Sequence, residues 1–127
     1  MFTSTRAFSG FSVSDIGAAQ TFYSQTLGLT VSLNAMGMLD IDLPGGGSVL
    51  AYSKEDHVAA AYTMLNFEVA DIDAAVDSLV ASGVSIQQYG MPHQDEKGIA
   101  RGKASNMGPD IAWFLDPAGN ILSVLMN

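Results

Sequence analysis

The pattern of apolar and polar residues repeats along this 127-residue chain. The segment FSVSDIGAA at 11–19 recurs as FEVADIDAA at 67–75, with six identical letters in nine positions at a shift of 56 residues. LGLTV at 27–31 aligns with SGVSI at 82–86 at a shift of 55. Because repetition of this kind reflects a repeated supersecondary unit, we expect a single domain built of two modules, residues 1–55 and 56–127.

Each copy carries the signals of a strand followed by a capped helix. Asp15 and Asp71 suit the N-cap, because a short carboxylate accepts hydrogen bonds from the free N–H groups of the first helical turn. Gly28 and Gly83 stand where a left-handed C-cap is expected. Between cap and glycine, apolar residues recur at spacings of three and four, which predicts one buried helix face. They are Ile16, Ala19, Phe22, Tyr23 and Leu27 in the first copy, and Ile72, Ala75, Val76, Leu79 and Val80 in the second.

Three further strands are predicted after each glycine. They are Thr30–Asn34, Met36–Leu43 and Gly47–Ser53 in the first copy, and Val84–Tyr89, Asp110–Asp116 and Asn120–Met126 in the second. MLDIDL at 38–43 alternates strictly, and DPAGN at 116–120 is a strong turn signal. Each module is therefore β-α-β-β-β, which makes the fold α+β. The long polar loop at 91–107 could close over a site as a lid, or stay flexible and take no part.

Composition and charge narrow the classes of function. Thirteen acidic against five basic side chains give a net charge of −8, which argues against nucleic acid and favours a cationic small molecule. The chain has no cysteine, so it has neither a disulfide framework nor thiolate chemistry. No apolar run reaches the roughly 18–20 residues of a membrane helix, and the first residues lack the features of a signal peptide. We expect a cytoplasmic protein with neither nucleic acid nor membrane as a partner.

The order of these motifs resembles the vicinal oxygen chelate superfamily, which includes glyoxalase, extradiol dioxygenases and bleomycin-resistance proteins. The resemblance rests on Asp15 with Phe22 and Tyr23, on LGL at 27–29, on VADIDAA at 69–75 and on DPAGN. It implies that the two modules curl their sheets into a cup with the helices outside. It also implies a homodimer, in which the chains either exchange modules or lie side by side.

The same resemblance implies four metal-ligand positions, on the first and last strands of each module. Counting about seven residues back from Asp15 and Asp71 gives Phe8 and Met64 for the first strands, and the last-strand positions fall at about Ala51 and at Ser123. None of these side chains is a good ligand for a hard or borderline divalent cation. Both histidines, His57 and His93, lie in predicted loops, and HQDE at 93–96 is either a local cluster or a solvated loop. We therefore expect no metal, no other cofactor and no metal-dependent catalysis.

Alternation along the strands assigns side chains to the cup. The ligand-binding candidates are Phe8, Asp40, Met64, Asn66, Glu68, Arg101, Trp113 and Ser123. Aromatic and apolar walls with a few carboxylates describe a pocket for a cation. Plainer interpretations exist, since Trp113 could be ordinary core and Asp40 the solvated face of an edge strand. Glu68 could instead pair in a salt bridge with Arg6, Arg101 or Lys103.

The sequence thus predicts a metal-independent small-molecule binding protein of the glyoxalase/bleomycin-resistance type, which sequesters a cationic or amphipathic ligand. One alternative is a lyase, isomerase or dioxygenase-like enzyme of the same superfamily. Another is a structural or regulatory protein with a vestigial pocket. The sequence assigns no catalytic residue.

Overall fold

A computed structural model describes all residues, 1–127. The chain divides into two compact units, Met1–Val58 and Ala59–Asn127, and this boundary lies three residues after the predicted one. Each unit contains a four-stranded sheet and a helix. The predicted α+β class is therefore confirmed, with one β-α-β-β-β module in each unit.

The first unit has its strands in the order β1-β4-β3-β2. Strand β1 pairs in parallel with β4, and the other neighbours are antiparallel. Helix α1 continues directly into one π-helical segment, in which Leu27 N donates to Phe22 O at 2.9 Å. The elements are β1 (Ser9–Val13), α1 (Ile16–Thr21), the π-helical segment (Phe22–Thr26), β2 (Val31–Leu33), β3 (Leu39–Asp42) and β4 (Ser48–Ser53).

The second unit repeats this topology, with the strand order β5-β8-β7-β6. Strand β5 pairs in parallel with β8, and the remaining pairs are antiparallel. The elements are β5 (Thr63–Glu68), α2 (Ile72–Ala81), β6 (Ala100–Arg101), β7 (Asp110–Leu115) and β8 (Ile121–Met126). No helix of the chain combines the length and the apolar character that crossing a bilayer requires.

The two predicted helix caps are confirmed. Asp15 accepts a hydrogen bond from Ala18 N and Asp71 accepts one from Ala74 N, each at 3.1 Å. Gly28 and Gly83 follow the helices with φ of 73° and 91°, a conformation that strains other residues. The repeated letters of the sequence therefore encode a repeated local structure.

Each sheet packs one face against the helix of its own unit. In the first unit, Phe11 of β1 contacts Tyr23 with ring centroids 5.7 Å apart. The fully buried side chains of the second unit include Phe114 and Leu122 from the sheet and Ile72 from α2. We call the sheet face that points away from the helix the open face of that unit.

The predicted strand Val84–Tyr89 is wrong. This segment forms only one isolated bridge, between Ile86 and Phe114, and the strand at this edge is β6, which lies within the predicted long loop. The two segments divide the edge of β7 between them, because Ala100 pairs with Ile111 further along the same strand. Residues 84–89 therefore have the sequence pattern of a strand, but tertiary pairing supports only one bridge there.

The loop between residues 91 and 107 is held by its own hydrogen bonds. Asp95 Oδ1 accepts from Lys97 N at 3.0 Å and from Ile99 N at 2.9 Å, and Ile99 is fully buried. A Cβ atom at position 98 would lie 2.4 Å from Ile86 Cγ2, so only glycine fits there. The loop thus contributes both an edge strand and a core residue to the second unit.

The DPAGN turn is a buried network that joins β7 and β8. Asp116 Oδ1 accepts from Ala118 N and Asn120 N at 2.9 Å each, and its Oδ2 accepts from Asn120 Nδ2 at 3.0 Å. Asn120 Oδ1 in turn accepts from Ala60 N at 3.1 Å. The turn therefore also holds the segment that leads into β5.

We expect Asp116→Ala to lower the free energy of unfolding by about 2–4 kcal/mol, because it leaves buried donors without an acceptor. Urea unfolding followed by circular dichroism measures this change. Asp42→Ala is the matched control, since Asp42 is exposed, and it should change stability by no more than about 0.5 kcal/mol. Equal losses in the two variants would contradict a structural role for the turn.

Candidate functional site

The open face of the second unit brings together four of the predicted site residues. Strand register places Asn66, Ser123 and Trp113 side by side in one row. Glu68 lies in the next row of the same face, beside Leu125. Residues that stand opposite each other on paired strands point to the same side of the sheet. The alternation predicted from sequence therefore applies to these four positions.

Trp113 is half-buried on this face, whereas the neighbouring Phe114 is fully buried on the helix side. Its indole N–H donates to Thr63 Oγ1 at 3.1 Å. The ring of Tyr89 meets it edge-on, with centroids 5.6 Å apart and planes at 66°. Trp113 is therefore not part of the helix-side core, and its indole is fixed on two sides.

Polar groups adjoin the indole on the same face. Ser123 is fully buried, and its hydroxyl donates to Asn66 Oδ1 at 2.5 Å. Because the Asn66 oxygen accepts this bond, its amide NH₂ keeps two donor hydrogens for other partners. Asn66 itself is exposed, so the site presents a hydrogen-bond donor beside an aromatic ring.

Glu68 is exposed and accepts a hydrogen bond from Asn127 Nδ2. The salt bridge to Arg6, Arg101 or Lys103 that the sequence left open is not formed. Arg6 donates to Ser48 Oγ at 2.6 Å, Lys103 Nζ donates to the carbonyl oxygen of Asn127 at 3.0 Å, and Arg101 pairs with Asp73. The carboxylate of Glu68 therefore adds a negative charge to the open face that no basic side chain of the unit neutralises.

Arg101 was predicted to join this site, and the structure contradicts that prediction. Its pairing with Asp110 puts its side chain on the helix side, where the guanidinium donates to both carboxylate oxygens of Asp73 at 2.8 and 3.1 Å. Its Nε donates to Asp95 Oδ2 at 3.0 Å. The carboxylates of Asp73, Asp95 and Asp110 thus surround Arg101. They form a structural ion-pair cluster between α2 and the loop.

This cluster shifts the protonation of its members. Hydrogen bonds from Arg101, and secondly from Lys97, lower the pKa of Asp73 from 3.8 to about 2. The same contact with Asp73 raises the pKa of Arg101. Lys97 bridges Asp77 at 2.9 Å and Asp73 at 3.1 Å, and these contacts raise its pKa. The charges are thus committed to holding the loop on α2.

Met64 does not take the place on the ladder that the sequence assigned to it. The register shifts between Thr63, which pairs with Ile121, and Leu65, which pairs with Leu122. Met64 lies in this β-bulge, and Thr63 reaches Trp113 instead. Counting residues back from Asp71 cannot reveal an inserted residue, so the sequence missed Thr63.

Ala51, assigned to a ligand position on the last strand of the first module, is wrong as an open-face residue. It lies opposite Phe11 and Leu39, on the helix-covered face, and is fully buried. Ser48, Leu50 and Tyr52 are the residues of β4 that belong to the open face. The error is a single residue, which in a strand reverses the direction of the side chain.

The two remaining predicted residues lie in the first unit. Asp40 is half-buried on the open face, in the row of Leu50 and Gly10. Phe8 precedes β1 and is 56% exposed, and the guanidinium carbon of Arg6 lies 4.7 Å from its ring centroid. Strand register therefore places Asp40 on the open face but does not include Phe8.

One further pair on the first unit was not expected from sequence. Ser12 of β1 and His57 of the predicted loop lie in hydrogen-bond contact, with Oγ and Nδ1 2.6 Å apart. The two residues are 45 positions apart in the chain. No local pattern connects them, so sequence reasoning had no signal for this contact.

The architecture defines the class of protein: an α+β chain of two β-α-β-β-β units, each with a helix packed on one face of its sheet. Comparison with known proteins identifies the family. Residues 7–124 match the Glyoxalase/Bleomycin resistance protein/Dioxygenase superfamily. The chain therefore belongs to this superfamily, as the resemblance in its sequence implied. Comparison with curated protein sequences gives no significant match.

Several solved structures share the fold at low sequence identity. A superfamily member from Sphaerobacter thermophilus DSM 20745 is 22% identical, with a TM-score of 0.70 and 98% of both chains covered. TnmS3, an antibiotic binding protein from Streptomyces sp. CB03234, is 21% identical with a TM-score of 0.69, covering 99% of this chain and 98% of that one. The fosfomycin resistance protein FosX from Listeria monocytogenes is 12% identical with a TM-score of 0.70, covering 99% and 95%.

The side chains at and beside the positions assigned to metal ligands do not fit a divalent ion. Phe8 and Leu50 have no donor atom, Met64 has only a thioether, Thr63 and Tyr52 have only hydroxyls, and the Ser123 hydroxyl is bonded to Asn66. Nowhere in the chain do three His, Cys, Asp or Glu side chains converge so that they could hold a metal ion. The open faces therefore supply aromatic rings, hydroxyls, amides and separate carboxylates.

The Asp73 cluster predicts a loss of stability in acid. A carboxylate whose pKa is lowered in the folded state stabilises the fold fully above its ordinary pKa, and this contribution disappears as the pH falls through the folded-state value. For Asp73 the interval runs from 3.8 down to about 2. We expect the stability difference between wild type and Asp73→Asn to shrink across this interval.

Urea unfolding at a series of pH values between 5 and 2, about the interval over which a native carboxylate loses its contribution, measures that difference. Asp42→Asn is the control, because it removes an exposed carboxylate outside the cluster. If the Asp73→Asn difference stays constant with pH, the ion pair does not stabilise the fold.

Proposed function

We propose that this protein binds a cationic, amphipathic small molecule on the open face of its second unit, without a metal ion and without converting the ligand. The observation that carries the proposal is the position of Trp113. Its indole is half-buried on the face away from the core and is held by Thr63 and Tyr89. A fixed aromatic surface with a few polar neighbours is typical of small-molecule sites.

Charge determines the preferred ligand class. Glu68 adds a carboxylate to the same face as Trp113, and the whole chain carries a net charge of −8. The long-range field therefore attracts cations, and the face of an indole attracts them at short range through cation–π contact. An anionic ligand would be opposed by both terms.

The comparisons support a binding role in this superfamily. TnmS3, which shares the fold, is an antibiotic binding protein, and FosX is a fosfomycin resistance protein. At 21% and 12% identity these likenesses support the fold, so the ligand class proposed here rests on the side chains of this chain. The side chains favour sequestration over catalysis, because no three His, Cys, Asp or Glu side chains converge as metal ligands.

Tetraphenylphosphonium and tetraphenylborate provide a matched pair of probes, because they have nearly the same size and apolar surface and opposite charges. Trp113 is the only tryptophan, so its fluorescence reports on the proposed site alone. We expect the phosphonium to change the emission and to bind on the order of tenfold more tightly than the borate, a difference of about 1.4 kcal/mol. Equal affinities, or tighter binding of the borate, would refute a cation site.

Calorimetry with variants locates the binding. Trp113→Leu should abolish most of the phosphonium affinity, whereas Phe2→Leu, at a residue that is 86% exposed, should leave it unchanged. Glu68→Gln should weaken phosphonium binding roughly two- to fivefold, as expected for an exposed charge pair. Glu55→Gln removes one exposed carboxylate from the first unit and should have no such effect. Unchanged binding in Trp113→Leu would place the ligand elsewhere.

Binding should not depend on a metal ion. We expect the same phosphonium affinity before and after treatment with EDTA, because no three side chains converge as ligands for a divalent ion. Elemental analysis of the purified protein provides a separate measurement. One equivalent of zinc, nickel, iron or manganese, lost together with binding on chelation, would overturn this part of the proposal.

A further inference from the structure

We propose that Gln94 is a positioning residue that holds Tyr89 against Trp113, so that Tyr89 forms a second wall of the ligand site. This inference rests on the proposed function for the identity of the site. It adds Gln94, a residue of the loop at 91–107 that lies in none of the strands. Neither Gln94 nor Tyr89 was a ligand-binding candidate from sequence, although Gln94 belongs to the HQDE segment.

Gln94 uses both ends of its side-chain amide to join the loop to the segment that precedes it. Its Oε1 accepts from Tyr89 N at 3.0 Å and from Met91 N at 3.4 Å. Its Nε2 donates to the carbonyl oxygens of Gln87 and Gly98, each at 2.9 Å. The side chain is half-buried, so it ties three parts of the loop together from within.

Tyr89 depends on this tie because the sheet does not hold it. The last backbone contact of this segment with β7 is the hydrogen bond from Gln87 N to Trp113 O, at 2.8 Å. Beyond it the chain leaves the sheet edge, and Gly90 turns with φ of 65°. The hydrogen bond to Gln94 is therefore the contact that fixes the backbone of Tyr89.

The position of Tyr89 gives the site its shape. The two rings stand at 66° to each other with centroids 5.6 Å apart, and Tyr89 is 46% exposed. Two aromatic surfaces at such an angle form a corner that contacts a bulky cation or an aromatic group from two sides. Selectivity for such ligands over small flexible ones then depends on Gln94 through Tyr89.

The ligand-free protein provides the first test. Tyr89 covers one side of Trp113, so its displacement exposes the indole to water and shifts the fluorescence emission to longer wavelength. We expect Gln94→Ala and Tyr89→Ala to shift the emission by the same amount. The double variant should show no larger shift, because both substitutions remove the same contact. Tyr89→Phe, which keeps the ring, should retain the wild-type emission.

Tetraphenylphosphonium affinity, measured by calorimetry, is the second readout. Gln94→Ala and Tyr89→Ala should each weaken binding by roughly three- to tenfold, as expected for loss of one aromatic wall, and again the double variant should lose no more. Gln88→Ala is the matched control. The Gln88 side chain also bonds to loop carbonyls, those of Asp95 and Glu96 at 3.3 and 3.5 Å, but has no bond to Tyr89. It should leave emission and affinity unchanged.

The two readouts separate this inference from the function on which it rests. A wild-type emission spectrum in Gln94→Ala overturns the positioning role, whatever the protein binds. An equal shift in Gln88→Ala also overturns it, because general loosening of the loop would then explain the effect. If wild type fails to bind the phosphonium while the emission shifts as expected, the proposed function fails and the positioning of Tyr89 by Gln94 stands.

Discussion

The alternation of side chains along a β-strand is the constraint on which both the core and the candidate site depend. Because the period is two, the register that buries Leu39 and Ile41 against the first helix also turns Asp40 to the other side. In the second unit, the register that buries Ala112 and Phe114 against the helix turns Trp113 to the open face. A polar or aromatic open face is thus a direct consequence of a helix on the opposite face.

Local signals account for the parts of the fold that the sequence predicted. The N-cap aspartates, the C-cap glycines and the DPAGN turn each act within a few residues, and each forms as expected. The repeat predicted that both units share one architecture, and the two sheets have equivalent strand orders. Asn66, Glu68, Trp113 and Ser123 follow because they lie on strands whose register is regular beyond the bulge.

The failures share a different physical origin. Met64 was located by counting back from Asp71, and Ala51 by its approximate place on the last strand of the first module. A shift of one position or one bulge reverses the face in each case. The position of the Arg101 side chain depends on which of several carboxylates it contacts. Its partner Asp73 lies 28 residues away, on α2. The contact between Ser12 and His57 likewise joins distant segments. Such choices are made by tertiary packing, and no window of sequence contains them.

Under the proposed function, the open face of the second unit binds its ligand without a metal ion. A metal ion concentrates binding energy in a few donor atoms, so it needs only those side chains to be correctly placed. Without such donors, affinity must come from contact area and from charge, and both require larger surfaces held in fixed positions. The bond between Thr63 and Trp113 and the clamp of Gln94 on the loop meet that requirement. Under the proposed function, the specificity of such a site would therefore depend less on the strands, which the superfamily shares, than on a loop that is fixed by its own hydrogen bonds.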